Sequence, residues 1–184
     1  MRVCYADGTL PVPGVFGVSD AWPHVRTLYE EAGFDPTGGQ VEVILTGGLD
    51  QIGPAGEHPI AGLTLRRQVA TLGTAFNAVL DGEVVGSFEV DDDLTRGGTN
   101  LSFSGWAEGC NHWVRESLRR RGIGTWLVAQ SASWLRLGRK NRFMTYVIED
   151  TETDSWVRYY ARYGWRPTNR TTRGWERAAA PATP

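Results

Sequence analysis

The sequence is poor in cysteine and in long apolar runs, and each shortage excludes a class of protein. Its 184 residues include only two cysteines, Cys4 and Cys110, which are too few for a disulfide framework. Apolar runs such as residues 126–129 fall far short of the roughly 20 residues that a membrane-spanning helix needs. The first residues include Arg2 and Asp7 and do not resemble a secretory signal. We therefore expect a reduced, cytoplasmic protein that does not enter a membrane.

Lysine is also scarce, and the charges are divided unevenly along the chain. Of 19 basic residues, every one except Lys140 is arginine, and the net charge is −2. Residues 1–114 carry 15 acidic and 5 basic side chains, whereas residues 115–184 carry 6 acidic and 14 basic ones. The basic C-terminal part predicts an anionic ligand: a phosphate, a nucleotide cofactor or a nucleic acid.

Apolar periodicity and turn residues predict an alternation of strands and helices. The pair Asp81-Gly82 between two apolar runs indicates a β-hairpin, and Gly109 suggests a bulge within its strand. The predicted helices run from Ser19 or Asp20 to Gly33, over 122–137, and from Thr153 or Asp154 to Gly164. The predicted strands are 41–45, 62–69, 76–80, 83–90, 101–115, 143–148, 165–168 and 171–175. Residues 1–18 and 46–59 are expected to be loop-like.

One segment combines glycine, arginine and the start of the strongest predicted helix. It reads Arg119-Arg120-Arg121-Gly122-Ile123-Gly124-Thr125. Its glycines would let backbone N–H groups approach a ligand closely, and a helix N-terminus adds unpaired donors and a positive dipole end. The segment therefore predicts a pyrophosphate site. It is not a P-loop, because no Gly-Lys-Ser/Thr follows, and Leu127 occupies the place of the third glycine of a dinucleotide fingerprint.

A second motif follows about 40 residues later and reads Tyr159-Tyr160-Ala161-Arg162-Tyr163-Gly164-Trp165. The two motifs, in this order and among these predicted strands and helices, resemble the GCN5-related N-acetyltransferase (GNAT) superfamily over residues 60–177. The resemblance implies an α/β fold, with a mixed, twisted central sheet flanked by helices. It also implies acetyl-CoA as co-substrate, with the segment from Arg119 to Thr125 on the pyrophosphate and Val114 pairing with pantetheine.

The resemblance also suggests how the acetyl group would move. Glu108, 11 residues before Arg119, matches the general base that deprotonates the amine. His112 and Glu89 are rival bases, and ordered water is a further alternative. Tyr160 matches the general acid that protonates the departing thiolate. We expect direct transfer in a ternary complex.

Several alternatives stay open at this level. Cys110 is a nucleophile in principle, although a small buried residue fits it better. The donor is acetyl-CoA or else another acyl-CoA or an aminoacyl-tRNA, and the chain is an active enzyme or an inactive CoA-binding module. We expect a small-molecule amine as acceptor, and the carboxylates from Asp91 to Asp93 would attract it as a cation. We expect no metal, and a nucleic acid is not the favoured partner. A homodimer is left open.

The N-terminal part resembles a second, incomplete copy of the same fold. Residues 28–34 align weakly with residues 159–165. Each segment contains the end of a predicted helix, followed by a glycine and an aromatic residue. We interpret residues 1–50 as a truncated half-lobe, 51–59 as a linker, 60–177 as the acetyltransferase domain and 178–184 as a tail. The chain would then be the second lobe of a tandem acetyltransferase. The two helices that the family places between its first two strands have no room here.

Overall fold

A computed structural model of the chain describes residues 3–6, 17–36, 40–95 and 101–178. Within these residues, the helices are α1 (Pro23–Glu31), α2 (Ile123–Leu137) and α3 (Thr153–Ala161). The strands are β1 (Val3–Ala6), β2 (Val18–Ser19), β3 (Val41–Gly48), β4 (Thr64–Val69), β5 (Thr74–Leu80), β6 (Glu83–Asp91), β7 (Trp106–Val114), β8 (Arg142–Ile148), β9 (Arg166–Thr172) and β10 (Trp175–Ala178). The predicted mixed α/β architecture is confirmed.

The chain forms two compact units, each built from segments that are distant in sequence. The first comprises Met1–Leu45, Tyr146–Arg162 and Arg166–Pro184, and the second comprises Thr46–Thr145 and Tyr163–Trp165. The division into half-lobe, linker and acetyltransferase domain remains a prediction.

The second unit is a mixed sheet covered on one face by α2. Its strand order is β8-β7-β6-β5-β4, in which β8 is parallel to β7 and the other neighbours are antiparallel. Helix α2 packs on β5, β6 and β7, because its apolar face meets large buried side chains of the sheet. Phe76, for example, is fully buried, and its ring lies 5.6 Å from that of Trp134.

The first unit contains two pairs of short strands and an ion pair whose carboxylate is buried. Strand β1 pairs with β10, and β2 pairs with β9, both antiparallel. The carboxylate of Glu42 on β3 is fully buried and accepts hydrogen bonds from Arg173 (2.8 Å) and Gln40 (2.9 Å). Both bonds reach Oε1 and offset part of the high cost of burying a charge, while Oε2 has no hydrogen-bond partner among the described residues.

The turns behave as their sequences predict. Asp81 and Gly82 both have positive φ, 51° and 83°, as a two-residue hairpin between β5 and β6 requires. Gly33 and Gly164, which follow α1 and α3, also have left-handed φ values of 78° and 71°. The weakly similar segments therefore share a glycine turn after a helix.

Strands β4 and β5 are joined by a tight turn, in which the Ala70 N–H donates to the Gly73 carbonyl at 2.8 Å. A Cβ at Gly73 would lie 2.3 Å from the Val90 carbonyl oxygen, so a glycine is required there. The turn leaves no space for two helices between these strands, as the sequence predicted.

Other elements differ from the prediction. Within the predicted N-terminal loop, residues 3–6 and 18–19 form strands, whose pairing with β10 and β9 is too long-range for local patterns to show. The strands predicted at 165–168 and 171–175 are replaced by β9 and β10. Strand β3 continues to Gly48, where the sequence resembled a linker. No helix of the described residues is long and apolar enough to cross a membrane.

Candidate active site

The parallel pairing of β7 with β8 covers only the first half of β7. It runs from Trp106 opposite Arg142 to Gly109 opposite Thr145. At the last rung, the Thr145 hydroxyl donates to the Gly109 carbonyl at 2.9 Å. The second half of β7 therefore continues along β6 beyond the end of this ladder, and Glu108 lies one rung before that end.

A β-bulge at Cys110 decides which side chains of β7 share a face. The register with β6 shifts between Glu89 and Val90, which pair with Asn111 and Gly109, so Cys110 is the extra residue. The sequence suggested a bulge at Gly109, and the bulge lies one residue later. Glycine is needed at position 109 for a different reason, because a Cβ there would lie 2.8 Å from the Phe143 ring.

His112 and Glu108 lie on opposite faces of the sheet as a result. The ring of His112 packs 4.8 Å from that of Phe88, on the face that α2 covers. Strand alternation places Glu108, Asn111 and Trp113 on the other face, together with Glu89. The rival base His112 would share a face with Glu108 only in a strand without a bulge, and the bulge at Cys110 separates the two.

Burial also disfavours His112 as a base, because it lowers the pKa of the imidazole to about 4. The ring is therefore neutral at pH 7, but it is a weak base on the face away from Glu108. Glu108 and Glu89 are both buried, each with 8% of its surface exposed.

The peptide groups of His112 and Val114 point away from β6. The Arg115 N–H donates to the Val85 carbonyl at 2.8 Å, so position 115 is a hydrogen-bonded position of the antiparallel ladder. In such a ladder the peptide groups of alternate residues point to alternate sides. Those of His112 and Val114 therefore face the side on which the pairing with β8 has ended. The Val114 carbonyl accepts a hydrogen bond from Arg119 Nε at 3.2 Å.

The glycine–arginine segment forms the turn into α2. Gly122 is the residue before the helix and has φ 86°, and Arg120 also has a left-handed φ of 61°. The first turn of α2 contains no acidic side chain. The side chain of Ile123 is buried and would lie 3.3 Å from a Cβ at Gly86, so only its backbone N–H can serve a ligand.

Three arginines surround this helix end and are exposed to solvent. They are Arg119, Arg120 and Arg121. None of them forms an ion pair with an acidic side chain in the part of the chain that the structure describes. Together with the unpaired N–H groups of the first turn, including those of Gly124 and Thr125, they provide a site for a polyanion.

Tyr160 lies on α3, in the first unit. Its side chain is buried with 2% exposed, and its ring stacks on Trp156 at 6.0 Å and meets Tyr159 edge-on at 5.1 Å. These contacts pack the ring against two aromatic neighbours. Tyr159 also lies 4.8 Å from the guanidinium of Arg162, so its ring serves packing.

The hydrogen bonds that hold Glu89, and the buried amide of Asn77, went unnoticed in the sequence. Glu89 on β6 accepts hydrogen bonds from the Leu72 N–H and from Asn111 Nδ2, both at 2.8 Å. Asn77 on β5 is buried, and its Nδ2 atom has no hydrogen-bond partner among the described residues. A polar residue within an apolar strand was the available signal for both. Among the described residues, no cluster of His, Cys, Asp and Glu could hold a metal ion.

Comparisons with known proteins show the family and the fold. A family model described as an acetyltransferase (GNAT) domain matches residues 72–167, more than half of the chain. A tandem GNAT protein from the clavulanic acid biosynthesis pathway is similar in structure, with a TM-score of 0.69 and 18% identity over 98% of this chain and 65% of that chain. A search of curated proteins finds no match.

Two further solved structures are similar. A GCN5-related N-acetyltransferase from Sphaerobacter thermophilus has a TM-score of 0.59 and 19% identity, over 91% of this chain and 60% of that chain. One from Kribbella flavida has a TM-score of 0.58 and 15% identity, over 86% and 65%. At these identities the likeness shows the fold. The present chain spans less than two thirds of each of these three structures.

The bulge residue Cys110 provides a test of this geometry. Burial, and next the charges of Glu108, Asp91 and Glu89, raise the pKa of the Cys110 thiol from 9.0 to about 12. The thiolate population at pH 8 should fall about 1,000-fold, and the greater nucleophilicity of a more basic thiolate offsets part of that loss. In a Cys4→Ser background, we expect native Cys110 to react with iodoacetamide on the order of 50-fold more slowly than the unfolded chain.

Mass spectrometry of the alkylated protein measures this rate. The rate should rise about tenfold per pH unit from pH 7 to pH 9, since the thiol stays protonated throughout. Reaction within a few-fold of the unfolded rate would contradict the burial of Cys110 beside these negative charges.

Proposed function

Because this chain belongs to the GNAT acetyltransferase family, we propose that it transfers the acetyl group of acetyl-CoA to the amine of a small molecule. The observation that carries the proposal is the end of the β7–β8 ladder beside the basic turn into α2. Beyond the end of the ladder, the outward-facing peptide groups of β7 can form hydrogen bonds with an extended ligand. The basic turn provides hydrogen-bond donors and positive charge for a polyanion. Acetyl-CoA contains both of these parts.

The residues present fit this co-substrate. The backbone N–H groups of residues 122–125, with the guanidinium groups of Arg119, Arg120 and Arg121, would hold the pyrophosphate. The outward-facing peptide groups of His112 and Val114 would pair with the amides of pantetheine, and the N–H of this strand would stabilise the charge that develops on the thioester oxygen. Acetyl-CoA supplies an activated acyl group.

Transfer to an amine requires two proton movements. The acceptor arrives as an ammonium ion and must lose a proton before its nitrogen can attack the thioester carbon. As the N–C bond forms and the C–S bond breaks, the sulfur leaves as a thiolate and takes up a proton. We assign the first step to Glu108, directly or through water, and the second to Tyr160. The raised pKa of Cys110 supports transfer without an acyl-cysteine.

Position and burial favour Glu108 for the base. It is buried one rung before the end of the β7–β8 ladder, with Asp91 opposite on β6 and Met144 opposite on β8. Glu89 is held by hydrogen bonds from the Leu72 N–H and Asn111 Nδ2, and we assign it a binding role below.

An assay of thiol release from acetyl-CoA over a panel of small amines tests the proposed function. We expect amine-dependent release of CoA and a product heavier by one acetyl group, detected by a thiol reagent and by mass spectrometry. Replacing Arg119, Arg120 and Arg121 together by glutamine should weaken CoA binding about tenfold or more, because each charge-assisted contact contributes of the order of 1 kcal/mol or more. CoA binding without turnover on any amine would instead indicate an inactive binding module.

The variant Glu108→Gln tests the base. We expect kcat/KM to fall by about 10²–10⁴-fold while the Kd for CoA is unchanged, because the amide cannot accept the proton. The exposed Glu57→Gln is the matched control, since it removes the same charge elsewhere. If the pH–rate profile of Glu108→Gln equals that of the wild type, the base is water or another group.

The variant Tyr160→Phe tests the acid. It keeps the ring that stacks on Trp156 and removes only the hydroxyl, so the Kd for CoA should be nearly unchanged. We expect kcat to fall by about 10²-fold or more with acetyl-CoA, because the thiolate then leaves without a proton. Donors whose leaving thiol is more acidic should be affected less, and wild-type turnover would remove Tyr160 from the mechanism.

A further inference from the structure

An open pocket of about 620 Å³ lies on the face of the second unit's sheet that α2 does not cover. Its size is typical of sites for small molecules. The lining residues are Gln68, Val69, Ala70, Thr71, Ala75, Asn77, Val84, Ser87, Glu89 and Trp113. The pocket thus spans β4, the turn after it, β5, β6 and the end of β7.

Among the residues that the structure describes, Glu89 is the only ionisable side chain that lines the pocket. Asp91 and Glu108 lie further along the same sheet face, as the strand register shows. Arg66 shares this face on the edge strand β4, but its side chain is exposed and does not line the pocket. The pocket therefore favours a cation.

The hydrogen bonds of Glu89 suit a fixed counter-ion. The Leu72 N–H binds one carboxylate oxygen and Asn111 Nδ2 binds the other, both at 2.8 Å. These two donors fix the orientation of the carboxylate, while each oxygen retains a second acceptor position. Only 8% of the surface of Glu89 is exposed. An ammonium ion bound to its carboxylate would therefore be held in a partly desolvated site.

Two other lining residues indicate what else the ligand carries. Asn77 is 3% exposed, and its Nδ2 atom has no hydrogen-bond partner among the described residues. An unsatisfied buried donor is costly, so an oxygen acceptor on a ligand would relieve it. Trp113 is 46% exposed at the end of β7 and offers an aromatic face to a cation.

We propose that this pocket binds a hydroxylated or carbonyl-bearing diamine, and that Glu89 is the specificity residue that holds one of its two nitrogens as an ammonium ion. The nitrogen paired with Glu89 stays protonated and has no lone pair for attack. The second nitrogen would then accept the acetyl group near Glu108. This acceptor role rests on the proposed function. Asn77 would receive the oxygen of the ligand.

A series of three nearly isosteric probes isolates the charge: glycerol, 3-amino-1,2-propanediol and 1,3-diamino-2-propanol. They carry zero, one and two ammonium groups at pH 7 on the same three-carbon skeleton. Binding is measured without acetyl-CoA, from the NMR shift of the Trp113 indole N–H, which is identified by its loss in Trp113→Phe. The same compounds are then compared as acceptors in the thiol-release assay.

We expect the wild-type protein to bind the diamine most tightly and glycerol most weakly. Glu89→Gln keeps an acceptor oxygen for Leu72 but removes the charge, and should weaken diamine binding about tenfold or more. Glu57→Gln, the exposed control, should leave it unchanged. Gln68→Lys places an ammonium at the rim and should weaken it without touching the buried network around Glu89.

The binding measurement tests the proposed site, and the turnover measurement tests the proposed function, so each can be rejected independently of the other. If Glu89→Gln weakens diamine binding but no amine releases thiol, the site stands and the proposed function fails. If the wild type does not prefer the diamine to glycerol, or if the preference survives in folded Glu89→Gln, the site is overturned whatever the turnover shows. In an active enzyme, Glu89→Gln should raise KM for the diamine more than it lowers kcat.

Discussion

The arrangement of the second unit's buried carboxylates and histidine depends on the one extra residue in β7. Without the bulge at Cys110, strict alternation would place His112 on the same face as Glu108. With it, His112 turns to the face under α2 and packs on Phe88, while Asn111 and Trp113 join Glu108 on the other face. A single insertion thus separates the buried, neutral imidazole from the carboxylates.

The same strand serves two roles because its two edges and its two faces are used differently. One edge remains hydrogen-bonded to β6, and the other is released from β8 after Gly109, so its peptide groups become available to an extended ligand. The face opposite α2 carries the carboxylates and the pocket. The positive charges lie elsewhere, at the turn into α2. This separation gives the uneven charge along the chain a physical meaning, since the basic segment begins where β7 ends.

The tight turn between β4 and β5 contributes to the pocket on the open face of the sheet. Gly73 allows the turn to lie against the Val90 carbonyl, and the Leu72 N–H then reaches Glu89. A chain segment with helices at this point would cover the sheet differently. The short connection therefore both leaves the pocket open and fixes the carboxylate inside it.

The sequence by itself predicted what depends on neighbouring residues. The Asp81-Gly82 hairpin, the helix that follows Gly122 and the glycine turn at Gly164 come from local backbone preferences, and the order of two short motifs indicated the family. The tertiary structure decided which distant residues meet. The pairing of β1 with β10, the hydrogen bonds of Glu89 to Leu72 and Asn111, and the burial of Asn77 join residues far apart in sequence. The face taken by His112 depended on the register between β6 and β7, because one unpaired residue reverses the alternation of every side chain that follows it.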